Sequence, residues 1–152
     1  AGAHFSPSPR PDLRADKNAV KQAGAKKTVI LDVRSREEFL GATPYLEARG
    51  GHIPGARHLD WHAVLDDKGQ LRDKAALRAL LSPLELDADA EVGAEREVIV
   101  YCTGGVRSAF IVAVLRSLGL KQARNYDGSF WEWAADAGLS VAVEPPSAKA
   151  PH

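Results

Sequence analysis

The sequence predicts a single α/β domain, a mainly parallel central sheet with helices on both of its faces. Three observations predict it. Two short β-rich runs, residues 28–33 (TVILDV) and 97–101 (EVIVY), are apolar on successive positions, as strands buried on both faces are. Helical patterns fall between and after these runs, and alternating strands and helices need crossover connections, hence parallel pairing. No internal repeat is present, and 152 residues suffice for one core of ordinary size.

Taken in order, residues 1–14 are proline-rich at the start and read as an arm or linker without a core of its own. Residues 15–143 form the predicted domain and 144–152 (EPPSAKAPH) a flexible tail. After the first strand, Ser35 and Glu38 have capping-box spacing ahead of Phe39 and Leu40, and Gly41 is a plausible stop. Residues 50–55 (GGHIPG) have loop chemistry, and 56–59 a brief strand pattern. Residues 73–81 carry a helical stripe at Ala76, Leu77, Leu80 and Leu81. Past the second strand and a glycine-containing loop, residues 107–118 read as a helix stopped by Gly119. It is apolar nearly all round and is expected to be well buried. Residues 123–126 are a third strand candidate and 129–137 a further helix.

Composition removes several function classes. Lysine plus arginine (20) balance aspartate plus glutamate (20), whereas a nucleic-acid binder usually needs a basic face. The longest apolar run, 109–115, is far shorter than the roughly 18 residues of a membrane span. The first residues lack the basic and apolar regions of a signal peptide. There is no methionine, position 1 included, so the chain reads as processed or cut from a longer one. The expected location is cytoplasmic, with the periplasm as alternative for a processed form. The expected partners therefore include no nucleic acid and no membrane.

Cys102 is the only cysteine, so no intrachain disulfide and no CxxC redox pair can form. A lone cysteine is more often a small buried hydrophobe than a catalyst. Here its neighbours argue otherwise. A buried strand runs into Cys102, then a short loop, then a helix, which puts the thiol where open α/β sheets bind ligands. Gly104 and Gly105 let the backbone curl so that successive N–H groups form an anion-binding nest. The following helix N-terminus adds donors and partial positive charge. Such a thiol is expected to ionise below the usual value of about 8.5. Arg107 in the first helical turn opposes the helix dipole, which makes sense if an anion sits before it; the other reading is a salt bridge to a carboxylate elsewhere. Ser108 either bonds the thiolate or faces solvent.

These residues resemble the rhodanese-like sulfurtransferase family. CTGGVR at 102–107, after its strand, is similar to the family's six-residue active loop, with cysteine first and, in many members, arginine sixth. LDVR at 31–34, GHIPGA at 51–56 and YDGSFWEW at 126–133 match three further signatures in the expected order. A lone CxxxxR would be weak; four motifs in order across residues 28–141 are specific. FLGATP at 39–44 resembles most the C-terminal, active domain of tandem thiosulfate and mercaptopyruvate sulfurtransferases, whose interdomain connector the arm would match.

The resemblance implies a rhodanese-like fold and sulfur transfer from a donor such as thiosulfate through a Cys102 persulfide to a cyanide, thiol or protein acceptor. No cofactor is expected, and no metal, since no pair among the five histidines has helical or finger spacing backed by carboxylates. Substrate-binding residues carried over are Thr103, Gly104, Gly105, Val106, Arg107, Ser108 and Arg34, the last with an equally good structural reading. Glu38 stands where some tandem members have arginine, which speaks against a strongly anionic donor. Thr103 and Gly104 replace residues typical of both thiosulfate and mercaptopyruvate users, so the donor stays open. Asp32 reads as structural, His52 as a turn residue bonded to backbone, and Phe130, Trp131 and Trp133 as core, with one of the three able to border the pocket. The alternatives are a persulfide carrier or interaction module, and a phosphatase or arsenate reductase of related fold. The latter have a loop one residue longer.

Overall fold

The computed structural model describes residues 6–24, 28–86 and 96–143. The tail at 144–152 and the start of the arm at 1–5 lie outside the described residues. Within them, five strands form one parallel sheet in the order β1-β5-β4-β2-β3: β1 Arg14–Ala15, β2 Val29–Asp32, β3 Arg57–His58, β4 Val98–Tyr101 and β5 Ala123–Tyr126. The helices are α1 Lys17–Ala23, α2 Arg36–Leu40, α3 Lys74–Leu81, α4 Val106–Ser117 and α5 Ser129–Ala135.

The two central strands, β2 and β4, are buried at every position. Because successive side chains point to opposite faces, each strand feeds two cores. Val29, Leu31, Val98 and Val100 pack with Leu77 of α3 and with Ile111 and Leu115 of α4. Ile30, Ile99 and Tyr101 pack with Val20 of α1 and with Phe130 and Trp133 of α5. Helices therefore cover both faces, as the sequence predicts.

Local chemistry sets the element ends. The Ser35 hydroxyl accepts the Glu38 N–H at 3.2 Å and the Glu38 carboxylate accepts the Ser35 N–H at 3.1 Å, closing the expected capping box on α2. Gly41 ends α2 at φ +126°, a conformation that favours glycine. Asp73 caps α3 by accepting the Ala76 N–H.

The structure departs from the sequence expectations at three points. The boundary drawn after residue 14 falls inside β1, where Arg14 pairs with Asn125 and Ala15 with Tyr126. A two-residue edge strand carries too little periodicity to be read from sequence. The helix α1, capped by Asp16 through the Ala19 N–H, was also not anticipated. Finally, α4 is not buried all round. Ser108, Ile111, Val112, Val114 and Leu115 face the core, while Val106, at 82% exposure, and Phe110, at 38%, lie outside. Apolar character on all sides did not imply neighbours on all sides.

Candidate active site

The loop that follows β4 is held from outside by α5. The N–H groups of Phe130 and Trp131 donate to the carbonyls of Cys102 and Thr103, both at 3.0 Å. These are first-turn donors that a helix leaves unsatisfied. Ser129, buried at φ +52°, accepts the Cys102 N–H at 3.2 Å and donates to the Tyr126 carbonyl at 2.7 Å. The Asn125 amide donates to the Gly105 carbonyl at 3.1 Å. Gly105 itself sits at φ +91°, and a Cβ there would stand 2.7 Å from the Asp127 carbonyl oxygen.

With the Cys102, Thr103 and Gly105 carbonyls bonded to these donors, other donors converge on the Cys102 sulfur. The Gly105 N–H reaches Sγ at 3.1 Å and the Ser108 hydroxyl at 3.5 Å. Burial alone would raise the thiol pKa. The Ser108 hydroxyl and the N–H groups of Ser108, Gly104 and Gly105 outweigh it, so the thiol lies below the ordinary cysteine value. Cys102 is 1% exposed and is the described free cysteine.

The sulfur lies at the floor of a cleft of about 300 Å³, lined by Tyr45, Cys102, Thr103, Gly104, Val106, Arg107 and Trp131. Tyr45 and Trp131 are half exposed and tied together, the Trp131 indole N–H donating to the Tyr45 carbonyl at 3.0 Å. The Trp131 ring rests on the loop at Gly104, where a Cβ would come within 2.7 Å of it.

Arg107 borders this cleft but is not free. Its terminal nitrogens donate to the two Glu38 oxygens at 2.8 and 2.9 Å, and the Thr103 hydroxyl donates to Glu38 at 2.7 Å. Burial disfavours the Glu38 carboxylate, yet the hydrogen bonds from Arg107, Thr103 and the Ser35 N–H hold it at about 2. The same contact raises the Arg107 pKa further above its ordinary value.

The structure thus brings Cys102, Thr103, Gly104, Val106 and Arg107 together at the cleft, with Gly105 and Ser108 behind the sulfur. It does not bring Arg34. That side chain is fully buried, bonded to both Asp32 oxygens and to the Gly51 carbonyl, with its guanidinium 4.0 Å from the Phe130 ring centre. Reading Arg34 as donor-binding is corrected to its structural alternative, because the carboxylate two residues earlier captures it. Asp32 also accepts the Tyr101 hydroxyl at 2.6 Å, the structural role expected of it. His52 is a buried turn residue whose Nδ1 lies 2.9 Å from the Phe39 carbonyl.

One cleft residue escaped the sequence, and a second, Trp131, is not core as expected but the one of the three aromatic residues that borders the pocket. Tyr45 stands in an aperiodic loop and left no signal. Trp131 left one: Phe130, Trp133 and Ala134 make the buried stripe of α5, which puts the intervening Trp131 on its other side. Glu38 was noticed, but the capping box already accounted for it.

Among the described residues, no group of three or more His, Cys, Asp or Glu side chains could hold a metal ion, and no helix is long and apolar enough to cross a membrane. A parallel sheet whose central strand delivers a cysteine into a donor-lined loop defines a class, and comparison supports it. A family profile described as "Rhodanese-like domain" matches residues 16–136, and the chain belongs to that family. It is 34% identical over 120 residues to a thiosulfate sulfurtransferase of Pseudomonas aeruginosa, covering 79% of this chain and 42% of that protein. It is 33% identical over 124 residues to the sulfur carrier protein TtuD of Thermus thermophilus, covering 76% and 41%. The crystal structure of the Tum1 protein of Saccharomyces cerevisiae superposes with a TM-score of 0.71 at 27% identity, covering 88% of this chain and 47% of that one. The chain spans less than half the length of these relatives.

Proposed function

We propose that the domain is a sulfurtransferase whose Cys102 carries sulfur as a persulfide. The observation behind this reading is the convergence of the Gly105 N–H and the Ser108 hydroxyl on a buried Cys102 sulfur at the floor of an open cleft. A thiolate so held attacks the outer sulfur of a sulfane donor such as thiosulfate. The new S–S bond forms as the donor's S–S bond breaks, and sulfite leaves with the electron pair. The terminal sulfur of the persulfide carries the negative charge, which the loop N–H donors stabilise as they would an oxyanion. An external nucleophile, cyanide or a thiol, then takes that sulfur and regenerates the thiolate. This chain holds no second cysteine to act as acceptor, and double displacement gives ping-pong kinetics. The names of the two curated relatives fit this chemistry.

Intact mass before and after excess thiosulfate tests the reading. Wild type is expected to gain about 32 Da, one sulfur atom, and Cys102→Ser nothing. No gain with thiosulfate, mercaptopyruvate or a persulfide donor would sink it.

A carrier role uses the same persulfide, and the relative named a sulfur carrier protein favours keeping it as a second reading. Sulfur passing to a protein thiol much faster than to cyanide or small thiols would select it.

A further inference from the structure

Among the described residues, Arg107 is the only cation that lines the cleft, and Glu38 pairs with its charge. Glu38, 2% exposed, takes both terminal nitrogens at 2.8 and 2.9 Å while also accepting the Thr103 hydroxyl and the Ser35 N–H. A guanidinium and a carboxylate in contact act on a nearby ligand as a dipole, whose field falls off faster than that of a charge. What remains to meet an anion is the set of loop N–H groups and the first turn of α4. These amount to a partial positive charge, and beside the Cys102 thiolate a doubly charged donor meets more repulsion than a singly charged one. Beyond the sulfur the cleft changes character. Tyr45 and Trp131 are 51% and 50% exposed, and Val106 stands at the lip at 82%. The indole-to-carbonyl bond between Trp131 and Tyr45 keeps the two aromatic residues together.

We propose that the cleft is built for a singly charged organic sulfane-sulfur donor, an apolar group bearing a terminal sulfur (R–SO2–S⁻), ahead of doubly charged inorganic thiosulfate, and that Glu38 sets this preference by neutralising Arg107. The proposal rests on the sulfur-transfer reading above. The Cys102 thiolate bonds to the terminal sulfur, the donor's S–S bond breaks, and R–SO2⁻ leaves with the electron pair. Two negative charges enter and two remain, and no oxidant is needed. The apolar group lies at the mouth, against Tyr45 and Trp131. Glu38 touches neither substrate nor sulfur; it is a positioning residue.

The test compares benzenethiosulfonate with thiosulfate, cyanide being the acceptor. Wild type is expected to show a higher kcat/KM for benzenethiosulfonate. Glu38→Gln, which keeps a capping side chain, is expected to lower the KM for thiosulfate by about tenfold, the order of one partly screened charge contact, with kcat little changed and a smaller effect on benzenethiosulfonate. Trp131→Leu is expected to raise the KM for benzenethiosulfonate more than that for thiosulfate. A wild type that prefers thiosulfate, or a Glu38→Gln that lowers kcat equally with both donors, overturns the proposal. If Glu38→Gln does not fold, the salt dependence of the wild type decides. A thiosulfate KM that climbs steeply with salt reveals an unneutralised cation and overturns the proposal, and a flat one supports it. Loading by both donors without discrimination sinks the preference alone. Loading by neither sinks the sulfur-transfer reading.

Discussion

The Glu38 carboxylate and the Arg107 guanidinium meet through two hydrogen bonds, of 2.8 and 2.9 Å, and so join the start of α2 to the start of α4. The contact ties the helix after β2 to the helix after the Cys102 loop. Stability and loop geometry therefore depend on the same carboxylate.

That carboxylate titrates at about 2 in the folded protein against 4.5 for an unperturbed glutamate. A lowered folded value contributes stability in full above the unfolded value. The contribution fades as pH falls from about 4.5 to about 2 and is absent below that. Its ceiling is about 3 kcal/mol. Urea unfolding of wild type and Glu38→Gln at a series of pH values is expected to show a gap at neutral pH that closes across that interval. A gap constant with pH would refute the assignment.

The Cys102 thiol, held low by the Ser108 hydroxyl and the N–H groups of Ser108, Gly104 and Gly105 against the effect of burial, is expected to react with iodoacetamide along a pH profile centred below the value of about 8.5 for a free cysteine. Ser108→Ala removes one donor, and its profile is expected to move up.

Gly104 is required by Trp131. A Cβ at that position would stand 2.7 and 2.8 Å from two ring carbons. Gly104→Ala is therefore expected to cost about 1–3 kcal/mol and to perturb the loop. In a Trp131→Ala background the same change should cost little. The interaction energy of this double-mutant cycle is the measurement.

Arg34 and Asp32 form an ion pair with both side chains fully buried. Removing the cation alone leaves a buried carboxylate whose remaining donors among the described residues are the Tyr101 hydroxyl and the backbone N–H of residue 34. Arg34→Met is expected to lose about 3–5 kcal/mol of unfolding free energy. Because Arg34 lies outside the cleft, the KM for the donor should hold in whatever folds. A selective rise in KM would return Arg34 to the binding site.

The central strands, the capping box of α2 and the Cys102 loop were legible in the sequence, because each is a local pattern. β-Branched runs, a serine three residues before a glutamate, and two glycines after a cysteine each act within a few residues. The edge strand β1 was not legible, since its two residues become a strand only when β5 lies beside them. Nor was Arg49, whose guanidinium donates to the carbonyls of Trp133, Ala134, Asp136 and Leu139 and so secures the end of α5 from a distant loop.

By itself the sequence determined that a strand delivers Cys102 to a glycine loop at a helix start, which makes this thiol the candidate to test. Only the tertiary structure decided what surrounds it. Arg107 finds Glu38 across 69 residues, Arg34 turns inward to Asp32, and Trp131 closes on Gly104 beside Tyr45. Periodicity records whether a side chain is buried, and it is silent on which partner waits there. A charge changes its function with its partner, so the electrostatics of the cleft emerge only once the chain has folded.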